Sequence, residues 1–279
     1  MRASVARRVS LAQAGTVVLF AMAVLSTTYA SDPWADRVVR YTRGTQTGSG
    51  AFGDPQVALG SPERLTGEGV FPSVVSMFNP PFGEDEIVEI DFGGELVVEF
   101  DEPIVDDPAN PFGIDLTVFG NGGFIDVDFP NGQLGDPPAT FGVDPMEVSV
   151  SNDGVTFVSL GTFSEGLFPT QGYLDSDPFD AGPGSVLTDF TRPIDPALTL
   201  SDFSGLPYEQ ALALYDGSGG GTPIDIAAAG HTSISFLRIA GVAAGVSIEI
   251  DAFAAVPEPA TAAMLPTFLL FGCAFRRKK

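Results

Sequence analysis

From Ile87 to Phe100 the chain alternates apolar and polar residues with a period of two. Val88, Ile90 and Phe92 share one side, with Glu89 and Asp91 on the other. Beyond Gly93-Gly94, Leu96, Val98 and Phe100 alternate with Glu95, Val97 and Glu99. Successive side chains of a strand point to opposite faces, so this spacing predicts strands with one face in a core and one in water. Gly93-Gly94 is a two-residue turn tolerant of positive φ, which predicts a hairpin. A second hairpin is expected where Met146, Val148 and Val150 lead through Asn152-Asp153-Gly154 to Val155–Leu160.

Glycine (33) and proline (23) are frequent and helical periodicity is scarce, a pattern of many strands and long turns. Further strands are expected at Arg37–Tyr41, from Ile114 to Val118, around Ile234 and Phe236, and from Ile248 to Ala255. Val57–Leu59 and Val74–Phe78 read as short apolar pieces. Phe124–Pro145 reads as a long loop and Glu165–Pro196 as an irregular insertion. One short helix is expected at Tyr208–Tyr215, with Ser204 as its cap and Pro207 in its first turn. The fold class is therefore all-β, an antiparallel sandwich or jelly roll with long loops and one short helix.

The two ends read differently. Arg2, Arg7 and Arg8 precede a mostly apolar run from Val9 to Leu25, and Thr28-Tyr29-Ala30 supplies small residues before a cut. Residues 1–30 thus read as a secretory signal peptide with a signal helix. At the other end, Val256-Pro257-Glu258-Pro259 is followed by sixteen positions from Ala260 to Phe275 and by Arg276, Arg277, Lys278 and Lys279. Pro-Glu-Pro stays extended and accessible. The apolar run reads as a transmembrane helix, marginal against the ~20 residues a bilayer needs. The terminal cations hold that end inside, so both ends place the 31–255 body outside. A short span with a cleavable entrance suits a segment that pauses in the inner membrane and is then removed. The rival is an anchor that is never cut.

This tail, residues 256–279, resembles the PEP-CTERM sorting signal of Gram-negative bacteria in the order of its three parts. The resemblance implies cleavage near Pro-Glu-Pro by an exosortase-type membrane protease and delivery to the cell surface or extracellular matrix. It covers about a tenth of the chain and says nothing of what the body does.

Charge and chemistry narrow the rest. Seven of the 13 basic residues and one of the 36 acids, Glu258, lie in the terminal segments, leaving six arginines against 35 acids, a charge of about −30. Such a body does not bind nucleic acid phosphates unaided. It offers carboxylates to cations, and the same acidity would serve solubility in a saline setting. The single cysteine, Cys273, lies in the tail, so disulfides and cysteine-ligated zinc are excluded from the body. The single histidine, His231, reads as a loop or strand-edge residue.

Two acidic groups could hold calcium. The first is Asp106, Asp107, Asn110 and Asp115, whose side-chain oxygens cluster on a turn, as calcium requires, although the spacing is not that of an EF-hand. The second is Asp126, Asp128 and Asp136 around Asn131-Gly132. The alternative for both is a surface loop whose carboxylates cap their own turns.

The stretch Glu147–Phe157, with Ser151-Asn152-Asp153-Gly154-Val155-Thr156-Phe157, resembles a hairpin of discoidin-like, galactose-binding-like domains. Ile248–Phe253 is similar to their last core strand. Phe100–Asn121 resembles the body of PEP-CTERM surface proteins. These likenesses imply a sandwich whose relatives often bind glycans through variable loops, and they transfer no contact residue. The expectation is a non-catalytic surface or matrix protein that binds polysaccharide or envelope components, with calcium as a candidate cofactor. One rival is a purely structural adhesion protein. The other is a carboxylate-dependent glycan hydrolase, for which 36 acids give too many pairs to choose among.

Overall fold

The computed structural model describes residues 32–45 and 51–258. The signal segment, the apolar C-terminal run, Pro259 and the basic residues 276–279 lie outside the described residues. Among the described residues no helix is long and apolar enough to cross a membrane.

Two antiparallel sheets face each other. The first has five strands, in the order β1 (Arg37–Thr42), β5 (Glu95–Val105), β12 (Ser233–Gly241), β9 (Pro145–Ser151) and β10 (Val158–Ser164). The second has four, in the order β11 (Thr222–Ile224), β6 (Leu116–Gly120), β13 (Ser247–Ala255) and β4 (Val88–Asp91). Two small ribbons lie in the loops, β2 (Leu65–Thr66) with β3 (Ser73–Val74) and β7 (Gly123–Phe124) with β8 (Thr140–Phe141). Inward residues of both sheets form the main core, including Leu96, Val98 and Leu237 from one sheet and Ile90, Val118 and Ile250 from the other. Each such side chain contributes roughly 1.5–3 kcal/mol by leaving water.

Gly93-Gly94 does not make the expected hairpin. β4 and β5 belong to different sheets, and the turn carries the chain over the edge of the sandwich. The alternation holds for Val88, Ile90, Leu96, Val98 and Phe100, whose apolar sides meet across the core. At the corner it is reversed: β4 ends at Asp91, which is buried, and Phe92 is 45% exposed. The chain just after β1 occupies the place a hairpin partner would take. Asp91 N donates to Arg43 O at 2.7 Å, and Thr45 N donates to Phe92 O at 3.0 Å. Gly94 lies directly against the Arg43 carbonyl, where no Cβ fits.

The second hairpin forms as expected. β9 and β10 pair antiparallel, with Val150 opposite Val158. The Asp153 carboxylate closes the turn by accepting from the amides of Val155 (2.8 Å) and Thr156 (2.7 Å). Those bonds, Thr156 first, hold its pKa down at about 2. In the Val57–Leu59 piece, Val57 and Ala58 belong to a 3-10 turn, Pro55–Ala58, capped by Asp54, and Leu59 follows it in an extended conformation. In the Val74–Phe78 piece only Val74 belongs to a strand, within β3. The helix α1 spans Tyr208–Leu214 as expected, but Pro207 is its cap, and the Ser204 hydroxyl donates to Asp136 at 2.5 Å instead.

The insertion has no regular sheet of its own and makes a third layer. Phe119 and Ala254, on the outer side of the four-stranded sheet, are covered by Phe190 and Trp34. The Phe119 and Phe190 rings meet edge-on at 5.3 Å. Beside them a separate aromatic core gathers Phe78, Phe124, Phe168, Phe203, Tyr208 and Tyr215. Because both faces of the four-stranded sheet are buried, β6 carries no polar-out alternation. Arg64 pins this layer. Its guanidinium donates to Gly172 O, to Thr188 Oγ1 at 3.1 Å and to Thr188 O at 3.0 Å, and lies 3.9 Å over the Phe190 ring.

Candidate functional site

The acidic loop after β5 brings part of the expected set together. Carboxylate oxygens of Asp106, Asp115 and Asp225 lie within 4.8 Å of one another. Asp225 follows β11 and has no sequence signal linking it to the loop, so the reading of residues missed it. Asp115 is buried, and its oxygens accept from Asp107 N (3.2 Å), Asn110 Nδ2 (3.0 Å) and Ile226 N (3.1 Å). Burial pushes its carboxyl up, and these donors oppose the push. Asp107 turns to its own loop, accepting from Ala109 N at 2.8 Å. Asn110 presents its NH2 to Asp115, while its Oδ1 is buried without a partner.

The second acidic run is spent on backbone. Asp126 accepts from the amides of Asp128, Gly132 and Gln133, each at 2.9 Å. Asp128 accepts from Asn131 Nδ2 at 3.1 Å, and Asp136 receives Ser204. These bonds close the tip of the ribbon that continues from β7 and returns to β8. His231 lies between the Gly230 turn and β12, outside both acidic groups gathered among the described residues.

The closed tip creates a surface that the sequence did not announce. Phe129, 72% exposed, projects from it and meets the half-buried Phe179 ring at 4.9 Å and 60°. Beside Phe179 opens a concavity of about 310 Å³ lined by Pro130, Asn131, Asp177, Pro178, Phe179 and Asp180. Two facts position these segments, which are some fifty residues apart in sequence. Gly132, at φ 73°, lets the tip approach Pro178, whose Cγ would lie 2.6 Å from any Cβ there. The 177–180 turn is tied down by Ser76 Oγ donating to Pro178 O (2.7 Å) and Val74 N donating to Asp180 O (2.8 Å). The Asp180 carboxylate also accepts from Asp177 N at 2.9 Å. The result is an apolar ring pair carried on two hydrogen-bonded turns and rimmed by the exposed polar side chains of Asn131, Asp177 and Asp180.

At the other end of the described chain, Val256 is buried and its amide donates to Asp115 O at 2.9 Å, while Pro257 and Glu258 are exposed.

No family model matches the sequence, and no curated protein matches it. Among solved structures, a module titled CBM32-1 from a family 31 glycoside hydrolase from Clostridium perfringens is similar at 13% identity over 61% of this chain and 75% of that one, with a TM-score of 0.22. Superposition that loose carries neither ligand nor residue roles, and the sandwich stands on its own strand order.

Proposed function

We propose that the protein is a non-catalytic surface module that holds polysaccharide on the Phe129–Phe179 pair. The observation that carries this reading is an exposed, preorganised aromatic pair beside carboxylates and an amide. A sugar ring has an apolar C–H face and a rim of hydroxyls. The first stacks on an aromatic ring and the second needs acceptors and donors at the edge. Asp177, Asp180 and Asn131 are such groups, and the site is held by bonds that cost nothing further on binding. A hydrolase is less well supported, because Glu165 and Asp251, whose carboxyls burial pushes well up, lie fully buried within the fold.

In this reading the terminal segments carry the body out of the cell and an exosortase-type protease releases it at Pro257-Glu258-Pro259. The exposure of Pro257 and Glu258 beyond the last strand supports an accessible cut. Mass spectrometry of the protein recovered from the cell surface would locate both mature ends, and an intact tail would refute processing.

The binding test is retention of the purified protein on extracellular polysaccharide from its own cells, with competing sugar, with calcium and with chelator. Retention lost in Phe129→Ala, at unchanged stability, supports the site. Retention unaffected by Phe129→Ala and Phe179→Ala sinks it, and no retention at all favours a structural or adhesion role. The chelator arm, compared between the parent and Asp115→Asn, reads the calcium expectation at Asp106, Asp107, Asn110 and Asp115.

A further inference from the structure

A second group of acids lies where β10 ends, away from the acidic loop. Glu165 directly follows β10, Asp144 directly precedes β9, and Glu249 lies in β13. Their carboxylate oxygens are all within 4.8 Å of one another. Glu165 is 0% exposed, and neither of its oxygens has a hydrogen-bond partner. The amides of Asn121 and Gly122 lie near enough to favour its charged form without making an aligned bond. The Asn121 side-chain oxygen, wedged 2.7 Å from where a Cβ of Gly142 would be, is likewise buried and unpartnered.

No cation among the described residues neutralises this group. All six arginines of the described residues are engaged elsewhere. Arg37 pairs with Glu99 and Asp101, Arg40 with Glu95, Arg43 with Glu89 and Asp91, Arg192 with Asp216, and Arg238 with Glu147. Arg64 is held by Gly172 and Thr188. A buried, unpaired carboxylate among two others is costly, since burial and like charge both disfavour its ionised form. An unpaired oxygen cluster in a native fold calls for an occupant.

We propose that Asp144, Glu165 and Glu249 form a calcium site that braces the β9–β10 hairpin against the four-stranded sheet. The donors are all oxygen, which suits a hard cation and excludes a preference for zinc or copper. Two oxygens bound at ~2.3–2.6 Å to one ion are at most about 5 Å apart, so the observed spread accommodates calcium. Backbone carbonyls and water complete its 6–8 ligands. Asp144 and Glu249 are only partly buried, which leaves the ion a path from solvent. Glycine packing keeps the place open. The Glu165 carboxylate rests directly on Gly120, and a Cβ on Gly122 would lie 2.7 Å from Gly166 O. Without an ion, the same geometry requires the carboxyls to hold protons. Burial pushes Glu165 well up, with Glu249 and Asp144 adding to it, and burial lifts Glu249 to about 7.

These two states are separated by experiment. The full chain, stripped with EDTA, is titrated with calcium by calorimetry and followed by thermal unfolding at neutral pH. Saturation at one ion through this group, a raised Tm, and at least a tenfold loss of affinity in both Glu165→Gln and Asp144→Asn are expected, while Asp225→Asn leaves that ion in place. Terbium luminescence, quenched by added calcium in the parent and absent in Glu165→Gln, reads the site without reference to stability. The proposal is overturned if the stripped parent neither binds calcium nor changes its Tm, or if Glu165→Gln raises Tm while calcium binding is unaltered. It is equally overturned if Asp225→Asn, and not Asp144→Asn, abolishes the bound ion. None of these outcomes depends on polysaccharide binding.

Discussion

Replacing Arg64 by Met tests whether the third layer is held by one guanidinium. The side chains are similar in length, so packing along the stem is largely kept, but three hydrogen bonds and the stack on Phe190 are lost. A hydrogen bond is worth about 1 kcal/mol net, and more to a charged group. The cation–π contact adds roughly 0.5–2 kcal/mol. Against this, Met no longer carries a charge whose burial already draws the Arg64 pKa down. Gly172 O keeps the Thr188 hydroxyl at 3.1 Å, whereas Thr188 O loses its Arg64 donor. The balance is a loss of about 3 kcal/mol. In a domain of this size that lowers Tm by roughly 6–12 °C. Arg64→Lys keeps the charge but not the planar fork, and should lose about 1–2 kcal/mol. Urea unfolding followed by tryptophan fluorescence measures both, with a lower midpoint at unchanged slope. Because Gly172 and Thr188 bracket Phe179, proteolysis between them should accelerate and polysaccharide retention should fall. If Arg64→Met shifts stability by less than about 0.5 kcal/mol, the magnitude of an ordinary surface change, the reasoning is wrong.

Three further outcomes follow from the same geometry. Phe129→Ala should weaken polysaccharide retention up to about tenfold, as expected for one aromatic stack of ~0.5–1.5 kcal/mol, and leave Tm unchanged within error. Gly94→Ala forces a Cβ onto the Arg43 carbonyl at the corner between the sheets and should cost at least about 3 kcal/mol or prevent folding, read by urea midpoint or soluble yield. Asp153, whose pKa is held at about 2 by the Thr156 and Val155 amides, contributes stability that is present above the ordinary carboxylate pKa and is lost as pH falls toward 2. Asp153→Asn should therefore lower the urea midpoint at pH 6, and the difference from the parent should shrink as pH falls from the ordinary carboxylate range through about 2. A constant difference across that range would contradict the assigned role.

The readable parts of the amino-acid pattern are those governed by near neighbours. Alternation assigns Val88 and Ile90 of β4 and Leu96, Val98 and Phe100 of β5 to the core, since a strand's side chains alternate whatever it pairs with. It misplaces Asp91 and Phe92, where the strand ends and the chain turns the corner. The 146–160 hairpin is legible because Ser151, Asp153 and Gly154 close their own turn. The confinement of the single cysteine, Cys273, to the tail and the lone His231 exclude disulfides, cysteine-ligated zinc and multi-histidine zinc sites from the body. Partnership is another matter. A period of two does not say whether two strands lie side by side or face to face, and Arg43–Thr45 settled that for β4 and β5. The helix cap went to Pro207 because Ser204 found Asp136, 68 residues away. Asp225 beside Asp106, Glu165 beside Asp144 and Glu249, and Phe129 against Phe179 are meetings of distant segments. Local chemistry prepared each residue for such a role, but burial against chain brought in from elsewhere selected which carboxylates lost water and which rings kept it.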